Sequence, residues 1–474
     1  MTATPTSPIA LPGPHPMPVL GWRGNVLSFG LDPVAFMHRL NQTYGNIVAL
    51  ARGHTNYVFV FGPEYNQQVL SNPDVFHASD ADNGPIRLTQ GTALARIFSN
   101  GLNQMNGPRH KQQRRLMMPA LHKKRIEAYR DDMVALTERR LAGWRPGQSV
   151  DILKEMRQLT LSIAVKTLLG LDPNLEGETT RRMVERWQNL FFAIPTILLP
   201  FNIPGLPYRR LLALTERLAG EFQAMIDRKR AAGIDEGDAL SMLMQAQDED
   251  GARLTDAELI GQAGTLFVAG HETTASALTW TLFLLSQHPR VLADLLDEIN
   301  GALRGEAPRV ERLGDLPLLE RVIKESMRLL PPFIWQLRIS SVPFDLGPYH
   351  LPPKTTVALS SIITHRIPDL YPQPNKFLPE RWLGIDPSPY EYLPFSAGPR
   401  MCLGAAFAML EIKLVLPIIL QRYRLTLPPR VRVDRSGLVL SAPKGGLPMR
   451  IAAQDRQFTK SEVRGNIRSW VDLD

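Results

Sequence analysis

Apolar residues recur three and four apart over most of the chain between Arg109 and Ala232, the period of helices with one buried stripe. The pattern breaks at Leu171–Gly177 and Pro195–Pro207. Nearer the N-terminus, Pro33–Gly45 and Pro63–Leu70 read as helices, and the runs Ile47–Ala51 and Tyr57–Phe61 read as strands. Thr255–His288 is apolar nearly all round, which predicts a long helix through the core, stopped by Pro289. Helical spacing resumes over Arg290–Leu303 and Leu316–Leu330. Short strands follow from Arg338 to Ser361, then a loop-rich meander over 362–401, a closing helix Ala405–Tyr423 that contains Pro417, and terminal strands over 424–452. A proline here removes a ladder hydrogen bond at about 3 kcal/mol unless a kink absorbs it.

Three stretches lack such a pattern. Residues 1–30 are rich in proline and glycine and read as an irregular arm. Residues 77–107 read as a long loop over a pocket, and 454–474 as a polar appendage of undisclosed role. No repeat of fixed period and no Gly/Ser linker divides the chain. The expectation is one mainly helical domain over 31–453, with its small β region near 45–62, 338–361 and 424–452.

Composition narrows the class. Hydrophobic residues make up 44% of the 474 and charged residues 21%, as in a globular enzyme. The net charge of +8 favours acidic partners, but no nucleic-acid motif accompanies it. No basic segment precedes an apolar core near Met1, and Leu190–Ile203 is short and broken by prolines, so neither a signal peptide nor a transmembrane anchor is expected. Cys402 is the only cysteine, which excludes an intrachain disulfide and suits a reducing compartment, the cytoplasm.

Taken singly, Cys402 reads as a small buried apolar residue, the usual fate of a lone cysteine. Its surroundings change that. The segment Phe395-Ser-Ala-Gly-Pro-Arg-Met-Cys-Leu-Gly404 sits just before a helix, whose N-terminal dipole favours a thiolate, as does Arg400 two residues away. Gly398 and Gly404 allow tight turns and an open face for a flat ligand. The spacing Phe-x-x-Gly-x-Arg-x-Cys-x-Gly resembles the haem-binding loop of the cytochrome P-450 family, with every fixed position filled.

Further motifs fall in that family's order. Ala269-Gly270-His271-Glu272-Thr273-Thr274 lies within the long helix. An acid and two threonines are costly to bury there, and Thr273 can bond back to the carbonyl of Ala269. Gly270 would ease that distortion and leave room for a diatomic ligand, while His271 reads as structural. The segment resembles the family's oxygen-binding [Ala/Gly]-Gly-x-[Asp/Glu]-Thr, which implies that Thr273 holds dioxygen and water and Glu272 relays protons. Thr265, Val268 and Ala269 share the face of Thr273 and are expected to meet substrate. Glu325-Ser-Met-Arg328 places acid and base on one helix face, an arrangement most often found as a solvated pair. It resembles the family's Glu-x-x-Arg, and Pro379-Glu-Arg-Trp382 its partner segment, implying a buried triad of Glu325, Arg328 and Arg381. The resemblance also assigns His110, Arg114, Arg338 and Arg400 to the haem propionates, and Phe333, Ile334 and Trp335 to the distal pocket. Each of these also reads singly as a surface charge or a core residue.

The resemblance covers the chain to about Ile451 and implies a helical prism enclosing haem b, with Cys402 as axial thiolate. The implied reaction places one atom of dioxygen in a hydrophobic substrate: a fatty acid, terpenoid or polyketide-like molecule. Electrons would pass from NAD(P)H through a reductase and a ferredoxin or flavodoxin, docking on cations of the Arg109–Arg125 segment of a monomeric enzyme. A peroxide-driven peroxygenase or isomerase, and a non-catalytic haem binder, are the alternatives. The first commonly lacks the acid–threonine pair, and the second does not need it.

Overall fold

A computed structural model of the chain describes residues 10–78, 88–172, 177–191, 193, 195–196, 199–233, 236–437 and 439–473. Residues 79–87 of the expected loop, 1–9 of the arm and 192, 194, 197 and 198 of the broken apolar stretch lie outside that set. Helices form the body, and Asp256–Gln287 runs through its centre. Thr255 caps it with a reciprocal box: its hydroxyl accepts from the Glu258 amide, and its own amide donates to the Glu258 carboxylate. From Thr274 to Gln287 every side chain is buried, packed against Ile152–Leu169, Pro317–Leu329 and Ala405–Arg422. That burial, more than helix propensity, fixes the element.

The five-stranded sheet joins distant halves of the chain. Its order is Ile47–Ala49, Tyr57–Val60, Thr356–Leu359, Gln336–Ser340, Phe76–His77. Only the Tyr57–Val60 pairing with Thr356–Leu359 is parallel. A second sheet sets Pro448–Ala453 between Ser149–Asp151 and Tyr423–Thr426. Helix Ala405–Arg422 continues through Pro417.

Three expectations differ. The arm contains a helix, Trp22–Leu31, held by Phe29 packing edge-on against Phe36, Phe59 and Trp335. The 77–107 stretch contains a helix, Ala93–Ser99, whose first turn is capped by the Thr92 hydroxyl. The polar appendage folds back: Ile467, Trp470, Val471 and Leu473 are buried. In each case tertiary burial of a few apolar residues overrides weak local pattern.

The meander is fixed by one carboxylate. Glu325 and Arg328 have no exposed side-chain surface. Arg328 grips Glu325 through Nε and Nη2, both at 2.8 Å, and Arg381 Nε donates to it at 3.0 Å. Trp382 Nε1 and the Leu378 amide add bonds of 3.1 and 3.0 Å. Arg328 spends its other N–H groups on the carbonyls of His365, Pro374 and Lys376. Replacing Arg328 with Met would strand a buried carboxylate. Urea unfolding should then show a loss of about 3–5 kcal/mol.

Candidate functional site

The cysteine loop is tied at both ends. The Cys402 amide donates to the Phe395 carbonyl at 2.9 Å, and the Met401 amide to Gly398 at 2.9 Å. Gly398 has φ 71°, and a Cβ there would strike the Leu70 carbonyl, so only glycine fits. Phe395 is half-buried against the core. A Cβ on Gly404 would meet nothing within 4 Å, which leaves that side of the loop open. The Gly404 amide bonds the sulfur, yet burial outweighs it and pushes the Cys402 thiol up; Arg114 opposes in the same sense as Gly404. The cation that acts on the sulfur is therefore Arg114. Arg400, expected from its spacing, turns instead to the Met105 carbonyl and to Asn106 Oδ1.

His110, Arg114, Arg338 and Arg400 come from three separate segments and act on one another. Burial and then the Arg400, Arg114 and Arg338 guanidiniums push His110 down to about 4. Burial and Arg400 lower Arg338 to about 10, and burial and Arg114 lower Arg400 to about 10. None of the four meets a carboxylate among the described residues. Among the described residues Arg338 donates only to the Leu337 carbonyl and Gln336, and Arg400 Nε is buried without a partner.

Above its fully buried half, the central helix opens along one stripe. Thr265, Val268, Glu272 and Thr273 are partly exposed, and Ala269 is exposed, between the buried C-terminal half and a first turn that also meets solvent. Thr273 Oγ1 donates to the Ala269 carbonyl at 2.8 Å. Glu272 accepts from Arg157 Nε at 3.0 Å, and Arg157 itself reaches solvent. His271 turns away: its Nδ1 lies 2.7 Å from the Phe267 carbonyl and its Nε2 2.9 Å from Gln188. Gly270 corrects its reading. Its missing Cβ faces Leu168 and Ala164, so the glycine admits the neighbouring helix and leaves no room for a diatomic ligand on that side.

Other placements differ too. Ile334 presents no surface and is a core residue, while Trp335 packs edge-on against Phe29 at 5.1 Å and stays partly exposed. Phe333 is the most exposed of the three, at 46%. In extended chain, neighbours point to opposite sides. Below Thr265 the loop and the central helix touch through main chain: a Cβ on Gly261 would strike the Asn100 backbone, and one on Gly101 would strike Thr265. Gln262 seals this contact, accepting from the Leu102 amide at 3.0 Å and donating to the Asn100 carbonyl at 3.2 Å.

The profile of the family described as Cytochrome P450 matches residues 11–447. The chain belongs to the cytochrome P450 family. It is 33% identical to the cyclooctat-9-en-7-ol 5-monooxygenase of Streptomyces melanosporofaciens, over 87% of this chain and 88% of that one. It is 30% identical to the pentalenene oxygenase of Streptomyces avermitilis, over 94% and 98%. Among solved structures, a cyanobacterial CYP120A1 with retinoic acid bound superposes with a TM-score of 0.81 at 26% identity, covering 94% of this chain and all of that one. The protein is thus a P450 monooxygenase of helical P450 fold, of a family that uses haem and dioxygen. Among the described residues no helix is long and apolar enough to cross a membrane.

In this P450 the meander reaches the cysteine loop through a histidine that sequence reasoning missed. The Leu393 amide, two residues before Phe395, donates to His365 Nε2 at 2.7 Å. His365 Nδ1 is 3.1 Å from the Arg328 carbonyl, so the ring is neutral with its proton on Nδ1. Burial, then Arg328, holds His365 down to about 3, against 6.5 when unfolded. Below pH 6.5 the unfolded chain takes up a proton that the folded ring refuses. Stability is therefore full above 6.5 and falls as pH drops from 6.5 toward 3, by about 1.4 kcal/mol per unit. Urea unfolding at pH 7 and pH 5 should show the gap shrink by about 2 kcal/mol in His365→Gln; an unchanged gap would refute this role.

Proposed function

We propose that this P450 places one atom of dioxygen in a C–H bond or alkene of a terpenoid, with Cys402 as axial thiolate of a haem b. The supporting observation is the convergence of His110, Arg114, Arg338 and Arg400, without a carboxylate among the described residues, beside the chain's only thiol. Like charges held in a partly dry space call for an anion, and the two haem propionates fit it. The thiol fits as well: it is exposed, the loop is open at Gly404, and a bound metal cation would reverse the burial effect by deprotonating it. When bound, haem supplies the electron-transfer and oxygen-activating chemistry.

The chain's own residues position and protonate. Val268, Ala269 and Phe333 offer apolar surface that orients a hydrocarbon by contact alone, which favours a terpenoid skeleton such as those named for the two Streptomyces relatives. Thr273 keeps its hydroxyl proton on the Ala269 carbonyl and presents its oxygen lone pairs to water at the stripe. Glu272, bonded to the half-exposed Arg157, carries protons inward when its carboxylate leaves Arg157.

Electrons come from a separate ferredoxin or flavodoxin and its NAD(P)H-dependent reductase, with the enzyme a cytoplasmic monomer. Arg109, Lys111 and Arg115 are exposed and paired with Glu258, Asp74 and Glu249. Exposed pairs are worth little and are readily exchanged for a partner's carboxylates. A cleft of about 230 Å³ opens among Lys111, Arg114, Arg115 and Arg400 on this side.

Haem-supplied protein, reduced under carbon monoxide, should give the strongly red-shifted thiolate-type band, and Cys402→Ala should abolish it; persistence in the variant would sink the assignment. Thr273→Ala should lower product formed per NAD(P)H by about tenfold or more while reductant consumption continues. Equal coupling, with peroxide alone supporting full turnover, would favour the peroxygenase reading.

A further inference from the structure

Residues 463–473 do more than fill space behind the meander. Val463–Arg464 pairs in parallel with Val431–Arg432, and the Val433 amide donates to the Arg464 carbonyl at 2.8 Å. The chain then crosses the segment that Arg328 holds. Arg328 Nη1 and Nη2 take the carbonyls of Pro374 and Lys376, at 2.7 and 3.1 Å. The carbonyl between them, of Asn375, accepts from the Asp472 amide at 2.8 Å. Three successive carbonyls of this turn are thus held, the outer two by Arg328 and the middle one by the C-terminal segment.

Trp470 adds a second grip. Its indole stacks against two buried guanidiniums, Arg366 at 5.4 Å and Arg435 at 5.6 Å. Arg435 bonds Asp32 at 3.2 Å, while its Nε and Nη1 are buried without partners, so the ring face is what stabilises that side of the cation. Arg366 Nη2 donates to the Trp470 carbonyl and to the Leu329 carbonyl, both at 2.8 Å, and Nε to Asn375 Oδ1 at 3.2 Å. Leu329 ends the helix that carries Glu325 and Arg328, and Arg366 follows His365, which holds Leu393 at the entrance to the cysteine loop.

We propose that Val463–Leu473 is a strap that positions the cysteine loop from behind, with Trp470 as a positioning residue acting through Arg366. The proposal rests on Cys402 as the iron ligand. It is tested on full-length, haem-loaded protein with three variants. Trp470→Leu keeps apolar bulk and removes the π face, Trp470→Phe keeps a π face, and Asp472→Pro removes the N–H that holds Asn375. Leu295→Ala, a fully buried site on the helix Pro289–Leu303, serves as a control of general destabilisation. Decay of the thiolate-type carbonyl band in mild urea and hydrogen exchange of the Leu393 and Cys402 amides are followed together.

Trp470→Leu and Asp472→Pro should lose the band about fivefold faster than the parent. They should also lose it faster than Leu295→Ala at matched thermal stability, with faster exchange at both amides and Trp470→Phe near the parent. Decay and exchange no faster than in the control would overturn the strap. A parent without the band would instead overturn Cys402 as ligand. Exchange at Leu393 and Cys402 would then decide the strap by itself: faster in the two variants supports it, unchanged rejects it.

Discussion

A carboxylate taken wholly out of water must have its oxygens satisfied by donors, and Glu325 meets that demand with donors from two segments. Satisfying one buried charge thereby arranges much else. Arg328 brings its remaining N–H groups to main-chain carbonyls that have no ladder of their own, and the irregular meander acquires the definition of regular structure. The cysteine loop inherits that definition through His365 and Leu393. Rigidity at the thiol is thus imported from a site without chemistry of its own.

The electrostatics of the candidate site run the other way. Where Glu325 is saturated, the basic groups beside Cys402 are left short of anions, and each lowers its neighbour's hold on a proton. The distal side holds the balancing element, an acid with a single guanidinium partner that touches solvent. One face of the site is poised to receive negative charge and the other to pass positive charge, a division that suits a reaction consuming both electrons and protons.

Much of this was legible in the chain because it is local. The spacing around Cys402, the acid and base three apart at Glu325 and Arg328, and the bounds of the central helix each sit within a few turns of backbone. What escaped is long-range. Arg157 precedes Glu272 by 115 residues, and nothing near either one announces the pair. His365 is a lone histidine in a loop, distinguished only by what folds against it. Arg400 was placed on the sulfur by sequence proximity, whereas Arg114 reaches it through space. Gly270 looked like a vacancy for a ligand because the helix that fills it lies elsewhere in the chain. Ile334 could have been separated from Phe333 and Trp335 by strand alternation, a signal too short to weigh without the neighbouring sheet.

At the contact of Asn100 and Gly101 with the central helix neither glycine has room for a Cβ: one on Gly261 would meet the Asn100 backbone and one on Gly101 the Thr265 hydroxyl. Such a seam has nothing for drift to reshape: any larger residue would part the two elements instead of altering a surface. Substitutions that reshape this part of the pocket wall are therefore confined to the side chains on either side of the seam.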